Sequence, residues 1–293
     1  MIVITAPTGQ IGNKVVRALI ERAEPLRLIV RDAARLPDDV RNCVEIVEGS
    51  HGDASVVDRA FEGANAIFWL APPPWKQDLR NAYIEFARPA AAAIKRHTVA
   101  RILSVTAIGR GTTWQHSAGP VTASVEMDNM LMDTGAAFRE LAMPSFMENT
   151  ARQAAVMKEK GMFFGPIRAD RKLPFTATQD MAYAAARLLV DSTWTGQQEV
   201  AVLGPDDLSF DDQAAIISEV TGRTVRYQQI SYHQFKQGFL DRGTSESVAQ
   251  GYVDMYSAKD EGIDNTALRT PENTGLTSFR SFCEQHLKSA LVA

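Results

Sequence analysis

The amino-acid sequence predicts an α/β fold, a doubly wound parallel sheet with a smaller C-terminal α/β subdomain. Strand-like apolar runs and amphipathic helical patterns alternate through the first half of the chain, and such alternation is typical of a parallel sheet with helices on both faces. The second half has a different order of helices and strands, without a repeat or a low-complexity linker. We therefore predict a first domain at residues 1–150 and a smaller one at 151–293, with an approximate boundary and chain excursions across it.

The elements of the first half follow from β-branched runs and from the helical spacing of apolar residues. Ile2–Ile4 predicts the first strand, and the apolar positions between Val15 and Ile20 predict an amphipathic helix. Pro89 predicts a kink or a break in a long helix. Further strands are predicted at 26–30, 44–47, 66–70, 101–106 and 136–141, and further helices at 56–61, 79–97 and 123–134.

The second half predicts the elements of the smaller subdomain. Gly204 and Pro205 end one of its strands, and Gly222 ends one of its helices. We expect a substrate cleft between the two parts, at the carboxyl ends of the strands, because open parallel sheets bind ligands there. The predicted helices lie at 181–190, 209–221, 232–242 and 245–257, and the predicted strands at 199–203 and 225–228.

The first 31 residues carry the most informative motif. The first strand is followed by a glycine-containing turn, a helix and a second strand, which is the order of a nucleotide-binding βαβ unit. A pyrophosphate would lie on the amides at the helix N-terminus, where the helix dipole favours negative charge. Ala6 stands where the first glycine of the usual pattern belongs. The first domain is therefore predicted to be a dinucleotide-binding Rossmann domain, and the pyrophosphate-binding residues are Thr8, Gly9, Gln10, Ile11 and Gly12.

The end of the second strand distinguishes NADP from NAD. Arg31 directly follows this strand, and its guanidinium suits the 2′-phosphate of NADP as a bidentate, charge-assisted partner. Arg35 adds a second positive charge nearby. Asp32 would instead bind the ribose 2′-hydroxyl of NAD if the strand ended one residue later. We favour NADP as the cofactor and keep NAD as the alternative.

Two further loops are candidates for the cofactor site. Asp53 follows the third strand and would accept a hydrogen bond from the adenine amine, or cap the following helix, or do both. The segment from Ala71 through Pro72 and Pro73 to Pro74 follows the fourth strand. It would form a rigid wall beside the nicotinamide ribose, or simply end the strand, because its prolines lack amide hydrogens.

The expected acid–base pair of a short-chain dehydrogenase is missing from its usual place. Such enzymes need Tyr-x-x-x-Lys on the helix after the fifth strand, but residues 120–126 contain neither residue. The match from Tyr232 to Lys236 lies over a hundred residues later, and we interpret it as a coincidence. His116 is the remaining candidate proton donor, although a single histidine in a loop is more often an ordinary surface residue.

A quinone-like acceptor fits this lack of a strong acid. A quinone spreads the negative charge of an added hydride over two oxygens, so the protein needs to supply only binding, orientation and exclusion of water. Trp75, Phe146 and Asn149 are predicted to line the substrate site. Core packing is the alternative for the aromatic residues.

Composition excludes several classes of protein. The 293 residues carry a formal net charge of −4, which argues against direct nucleic-acid binding. Cys43 and Cys283 match no metal-ligand spacing, so we predict no metal site. No apolar run reaches the ~20 residues of a membrane span, and the chain begins with a strand instead of a signal peptide. We expect a cytoplasmic protein, and the sequence does not indicate its oligomeric state.

Over nearly its whole length the chain resembles the NmrA-like family of atypical short-chain dehydrogenases. The turn from Ala6 to Gly12 is similar to that family's G-A-T-G-x-x-G. Met143 replaces the arginine of the family's arginine-proline-x-x-phenylalanine-methionine-x-asparagine stretch. The other segments that carry the resemblance are Val30–Asp32, Gly49–Asp53, Ala60–Ala64, Leu141–Asn149, Thr178–Ala182, Gly204–Pro205 and Arg269–Glu272.

This resemblance implies two kinds of function. Some members of the family are NAD(P)H-dependent reductases of quinones or related unsaturated compounds, and the resemblance implies that Arg31 meets the NADP 2′-phosphate. Others bind the dinucleotide without turnover and act as redox-sensing regulators through a protein partner. Related ether and isoflavone reductases use a lysine near the position of Thr122, so their chemistry is not expected here. We predict the reductase and keep the regulator as the alternative.

Overall fold

The computed structural model describes residues 1–72 and 76–292. The strands are β1 Ile2–Ile4, β2 Leu26–Val30, β3 Glu45–Glu48, β4 Ala66–Trp69, β5 Arg101–Ala107, β6 Ala137–Met143, β7 Ser145–Phe146, β8 Met162–Gly165, β9 Leu173–Thr176, β10 Gln197–Ala201, β11 Asp207–Leu208 and β12 Arg226–Gln229. The α-helices are α1 Gly12–Ile20, α2 Asp38–Arg41, α3 Ala54–Phe61, α4 Phe86–His97, α5 Pro120–Met132, α6 Met147–Ala151, α7 Ala154–Lys160, α8 Thr178–Val190, α9 Phe210–Thr221, α10 Tyr232–Leu240, α11 Glu246–Glu261, α12 Phe279–Phe282 and α13 Lys288–Val292.

The chain forms two compact units, and each is assembled from three segments. The first, which we call the sheet unit, contains Met1–Ala107, Ala123–Ala142 and Met181–Val200. The second unit contains the three remaining segments, which are Ile108–Thr122, Met143–Asp180 and Ala201–Ala293. A division into two domains at residue 150 stays a prediction.

A seven-stranded sheet confirms the predicted Rossmann-type architecture. Its strand order is β10-β6-β5-β4-β1-β2-β3. Ile2 of β1 aligns with Leu26 of β2 on one side and with Ala66 of β4 on the other, and both pairings are parallel. The pairs β2–β3 and β4–β5 are parallel as well. The strand order reverses between β1 and β4, which is the switch point where open α/β sheets bind ligands.

The core of the sheet unit follows from the strand period of two. Successive side chains of a strand point to opposite faces, so the buried residues on one face of the inner strands form a single layer. Helices α3, α4 and α5 pack their apolar residues against this layer. The strand residues in it are Val3, Ile29, Ile67, Trp69, Ile102 and Phe138.

The predicted strand at 199–203 is corrected in its bounds and in its place. The observed strand β10 begins at Gln197 and ends at Ala201, and it pairs with β6 at the edge of the large sheet. Leu203 instead makes an isolated parallel bridge to Thr274. The local pattern identified a strand, but strand pairing is a tertiary property that short sequence windows do not contain.

The long helix predicted at 79–97 does not break at Pro89, which lies inside α4. A wider π-helical turn covers Asn81–Glu85, directly before α4. Proline lacks the amide hydrogen that would bond the carbonyl of residue i−4 and crowds that carbonyl; here that residue is Glu85. A π turn at this point lets the helix continue past the proline.

The second unit contains two small sheets. Strand β9 pairs in parallel with β7 and antiparallel with β11, and β12 pairs in parallel with β8. Its core is rich in aromatic rings, and the rings of Phe210 and Tyr227 stack with centroids 4.6 Å apart. The sequence pattern did not predict β8 or β9, because strands of four residues next to Pro166 and at Pro174 leave little periodicity to detect. Within the described residues, no helix has the length and apolar character needed to cross a membrane.

Candidate functional site

The turn after β1 is held by its own backbone and by a glycine. The amide of Gly9 donates to the carbonyl of Ala6 at 3.1 Å. Helix α1 then begins at Gly12, where an added Cβ would lie only 2.1 Å from the Ala6 oxygen. A side chain at position 12 would therefore push the helix away from the turn. The amides at the start of α1 are thus brought close to the end of β1, as a pyrophosphate site requires.

Ala6 has a left-handed backbone conformation, with φ of 49°. This region costs a residue with a Cβ about 1–2 kcal/mol, whereas glycine adopts it freely. The first glycine of the usual motif is thus replaced by a residue that keeps the glycine conformation. The Gly9 hydrogen bond and the close approach of Gly12 impose that conformation.

Thr5 joins the turn to the neighbouring strand β4. Its side chain is fully buried, and its hydroxyl donates to the carbonyl of Phe68 at 3.0 Å. The same hydroxyl oxygen accepts from the amide of Leu70 at 2.9 Å. The start of the turn after β1 and the end of β4 therefore have a fixed relation to each other.

Strand β2 ends at Val30, which places Arg31 first in the following loop. Arg31 is exposed, and in the described part of the chain no carboxylate forms an ion pair with it. The carboxylate of Asp32 accepts from the amide of Ala34 at 3.0 Å and caps a short 3₁₀ turn. The guanidinium is thus available to a ligand, whereas the Asp32 carboxylate already holds its own backbone.

Asp53 occupies the N-cap position of α3. Its backbone carbonyl accepts from the amides of Val56 and Val57, but its exposed side chain makes no capping hydrogen bond. The backbone carbonyl of Asp53, and not its side chain, therefore caps α3. The carboxylate stays available for the predicted contact with the adenine amine. Gly49 shapes this loop with φ of 140°, since an added Cβ would lie 2.4 Å from the Val56 side chain.

His51 was not predicted as a site residue, yet it contacts several parts of this region. The ring is 9 % exposed and meets the rings of Trp69 and Phe86 edge-on. Its Nε2 lies 3.1 Å from the carbonyl oxygen of Leu70. Burial, together with the positive charge of Arg31, lowers the pKa of His51 from 6.5 to about 4. The ring is therefore neutral at physiological pH.

The wall predicted after β4 is described only in part. Ala71 and Pro72 are half-buried, and Ala71 packs against the core of the sheet unit. Pro73 and Trp75 lie outside the described residues. Since β1 to β4 run in parallel, the loops that follow them meet at one edge of the sheet. This edge brings together the predicted cofactor residues Thr8, Gly9, Gln10, Ile11, Gly12, Arg31, Asp53, Ala71 and Pro72.

The other predicted residues belong to the second unit. Phe146 ends β7 and is half-buried, and Asn149 of α6 accepts a hydrogen bond from Arg152 at 3.2 Å. His116 is exposed in the loop before α5, with its Nε2 3.4 Å from the side-chain nitrogen of Gln115. Their roles in substrate binding and proton transfer stay predictions.

The misleading Tyr-x-x-x-Lys match has a structural role between α10 and α11. The hydroxyl of Tyr232 donates to the carbonyl of Tyr256 at 3.3 Å, and burial raises the pKa of Tyr232 to about 12. Lys236 forms an ion pair with Glu246 at 2.5 Å. A catalytic tyrosine of this type needs a lowered pKa, so these two residues are unsuited to that task.

At the usual catalytic position the chain has hydroxyl groups. Helix α5 contains neither tyrosine nor lysine, and the buried Thr106 of β5 donates to the hydroxyl of Ser124 at 2.6 Å. In the described residues, no group of three or more His, Cys, Asp or Glu side chains has a metal-binding arrangement.

Comparison with known proteins agrees with this architecture. The chain is 28 % identical to an NAD(P)H azoreductase from Xenophilus azovorans, over 98 % of each chain. It is 26 % identical to a (4-alkanoyl-5-oxo-2,5-dihydrofuran-3-yl)methyl phosphate reductase from Streptomyces griseus, over 99 % of each chain.

The fold is similar to that of an NADPH-dependent quinone oxidoreductase from Escherichia coli, solved in complex with NADPH. The TM-score is 0.81 at 22 % identity, and the match covers 98 % of this chain and 99 % of the other. The NmrA-like family model matches residues 1–275. The chain therefore belongs to the NmrA-like family.

Proposed function

We propose that the protein is an NAD(P)H-dependent oxidoreductase that transfers hydride to a quinone-like or related unsaturated small molecule. The observation that carries this proposal is the exposed guanidinium of Arg31. It has no carboxylate partner in the described residues, and it lies at the same sheet edge as the glycine turn. A cation at this position is suited to the 2′-phosphate that distinguishes NADPH from NADH.

The residues at this edge fit a dinucleotide. The close approach of Gly12 to Ala6 brings the N-terminus of α1 up to the end of β1, where the helix dipole favours a pyrophosphate. The Asp53 carboxylate is free of the capping bond and would accept from the adenine amine. When it is bound, the reduced nicotinamide supplies the hydride. The protein holds the cofactor, orients the acceptor and excludes water.

The chemistry of hydride transfer and the names of similar proteins both support a conjugated small molecule as the acceptor. Azo compounds, quinones and unsaturated lactones all accept hydride into a conjugated system that stabilises the resulting charge. Names of proteins similar to this chain include an azoreductase, a quinone oxidoreductase and a dihydrofuranone reductase. Such acceptors do not require the tyrosine–lysine pair that α5 lacks. We assign substrate contacts to Phe146, Asn149 and Trp75, and retain His116 as the candidate proton donor.

A turnover screen tests this proposal. Purified protein is mixed with NADPH and with menadione, 1,4-benzoquinone or an azo dye, and the loss of absorbance at the nicotinamide band is followed. We expect oxidation of NADPH well above the rate without protein, and a slower reaction with NADH. No oxidation above background with any of these acceptors would contradict the proposed function.

A regulatory role is the second candidate, favoured by the absence of a tyrosine–lysine pair on α5 and by Ala6 in the phosphate turn. In this case the protein binds NADP(H) without turnover and signals through a protein partner. Isothermal titration with NADPH and NADP⁺ separates the two candidates when it is combined with the screen. Tight binding of either form without turnover supports the regulator, and steady turnover supports the reductase.

A further inference from the structure

Both backbone groups of Leu70 are held by side chains from other loops. Its amide donates to the hydroxyl oxygen of Thr5 at 2.9 Å, and its carbonyl oxygen lies 3.1 Å from Nε2 of His51. Strand β4 ends at Trp69, so Leu70 lies beyond the strand residues that the sheet pairing fixes. The side chains of Thr5 and His51 thus hold the backbone in place for one residue beyond the end of β4.

The tautomer and orientation of His51 follow from its surroundings. A carbonyl oxygen only accepts hydrogen bonds, so Nε2 must carry the hydrogen and Nδ1 must be the bare nitrogen. The rings of Trp69 and Phe86 meet the imidazole edge-on, with centroids 5.2 and 4.8 Å away. Gly52 packs so closely on Phe86 that a Cβ would lie 2.5 Å from that ring. The imidazole is therefore confined in one orientation as a neutral donor.

Ala71 and Pro72 are the described residues that directly follow Leu70. Pro72 has no amide hydrogen to donate. The direction in which these two residues leave the sheet therefore depends on how the Leu70 peptide groups are held. Because β4 is next to β1 in the sheet, a change at Leu70 moves the chain beside the phosphate turn.

We propose that His51 is a positioning residue of the cofactor site, which holds the Leu70 carbonyl and thereby places Ala71 and Pro72 against the bound dinucleotide. The inference rests on the proposed function. It differs from the role of Arg31, because the 2′-phosphate is not involved. Loss of the His51 hydrogen bond should weaken NADPH and NADH binding by the same factor.

The test compares His51→Phe, which keeps an aromatic ring but removes the donor, with His51→Gln, whose side-chain amide restores an N–H. Dissociation constants for NADPH and NADH are measured by the fluorescence of the reduced nicotinamide. We expect His51→Phe to raise both constants about tenfold and His51→Gln to restore most of the affinity. The control is His97→Gln, because His97 contacts Asp58 at the surface, and it should bind both cofactors like the wild type.

Two outcomes overturn the proposal: unchanged affinities in a folded His51→Phe protein, or an equal loss in both His51 variants. If His51→Phe does not fold, Thr5→Val removes the bond on the other side of Leu70 and should weaken both cofactors equally, with rescue by Thr5→Ser. Hydrogen exchange of the segment around Leu70 is measured without cofactor. If the wild type binds neither nucleotide, the proposed function fails. Separately from nucleotide binding, unchanged hydrogen exchange around Leu70 in His51→Phe would show that the His51 hydrogen bond does not hold Leu70, and this overturns the inference.

Discussion

The turn after β1 and the loop after β3 lie at the same edge of the sheet, but different parts of the chain define them. In the turn after β1, backbone contacts define the geometry: the Gly9 amide bonds to Ala6, and Gly12 leaves room for the Ala6 carbonyl. In the loop after β3, the side chain of His51 reaches across to Leu70. A sequence motif captures the turn after β1, because only glycine at position 12 leaves the space that this backbone contact needs. No motif captures the loop after β3, because many residue types at position 51 would be compatible with the local chain.

The largest effect is expected where the backbone leaves no space. Gly12→Ala places a Cβ 2.1 Å from the Ala6 oxygen, and this rigid backbone atom cannot move aside as a side chain would. We expect a loss of about 4 kcal/mol in unfolding free energy and no measurable NADPH binding. Gly238→Ala is the matched control, because a Cβ there meets nothing within 4 Å in α10. Chemical denaturation of both variants provides the measurement, and equal stability would refute the backbone explanation.

The second-largest effect is a dependence of stability on pH. It tests the loop after β3, whose geometry the His51 side chain defines. The folded protein holds His51 neutral down to a pKa of about 4, compared with 6.5 in the unfolded chain. Between these values the unfolded chain binds a proton that the folded protein excludes, so stability falls as the pH is lowered. Each pH unit is worth about 1.4 kcal/mol, and the loss approaches about 3 kcal/mol near pH 4.

Denaturation of the wild type and of His51→Gln at several pH values between 4 and 7 measures this effect. Other groups titrate in both proteins, so the difference between the two unfolding free energies isolates His51. We expect the wild type to lose stability more steeply below pH 6.5. Parallel curves for the two proteins would mean that His51 takes up its proton in the folded state.

A third experiment tests the loop after β2, where a charge acts on the ligand instead of on the fold. Arg31→Ala should weaken NADPH binding by about 2 kcal/mol, the scale of a charge-assisted hydrogen bond, and leave NADH affinity unchanged. Arg41→Ala is the control, since Arg41 forms an ion pair with Asp38 within α2. Titration calorimetry with both cofactors measures the effect, and an equal loss for NADH would exclude the 2′-phosphate assignment.

The smallest effect is expected at Ala6. Glycine removes the cost of the left-handed conformation at φ of 49°, but it also increases the conformational entropy of the unfolded chain. We expect Ala6→Gly to stabilise the protein by about 1 kcal/mol or less. Thermal unfolding shows this as a small rise in Tm. A clear decrease in Tm would mean that the Ala6 methyl group makes packing contacts that outweigh the strain.

Local chemistry was sufficient to predict part of this protein from its sequence. Strands β1 and β2 have the predicted bounds, because short β-branched and apolar runs next to a turn have few alternatives. The Rossmann-type sheet also follows from local order, because alternating strands and helices form parallel pairs through right-handed crossovers. Arg31 was identified by its distance along the chain from the glycine turn, and the structure places it directly after β2.

The tertiary structure decided the rest, since the relevant contacts join residues that are far apart in sequence. Thr5 and Leu70 are separated by 65 positions, and His51 and Leu70 by 19. The position of β10 beside β6 depends in the same way on pairing between distant segments. The sequence alone thus determined the alternating order of strands and helices and the turn after β1, where one residue's own backbone preferences are decisive. Only the folded chain determined which side chains hold the end of β4, because hydrogen bonds between loops depend on where the whole sheet brings them.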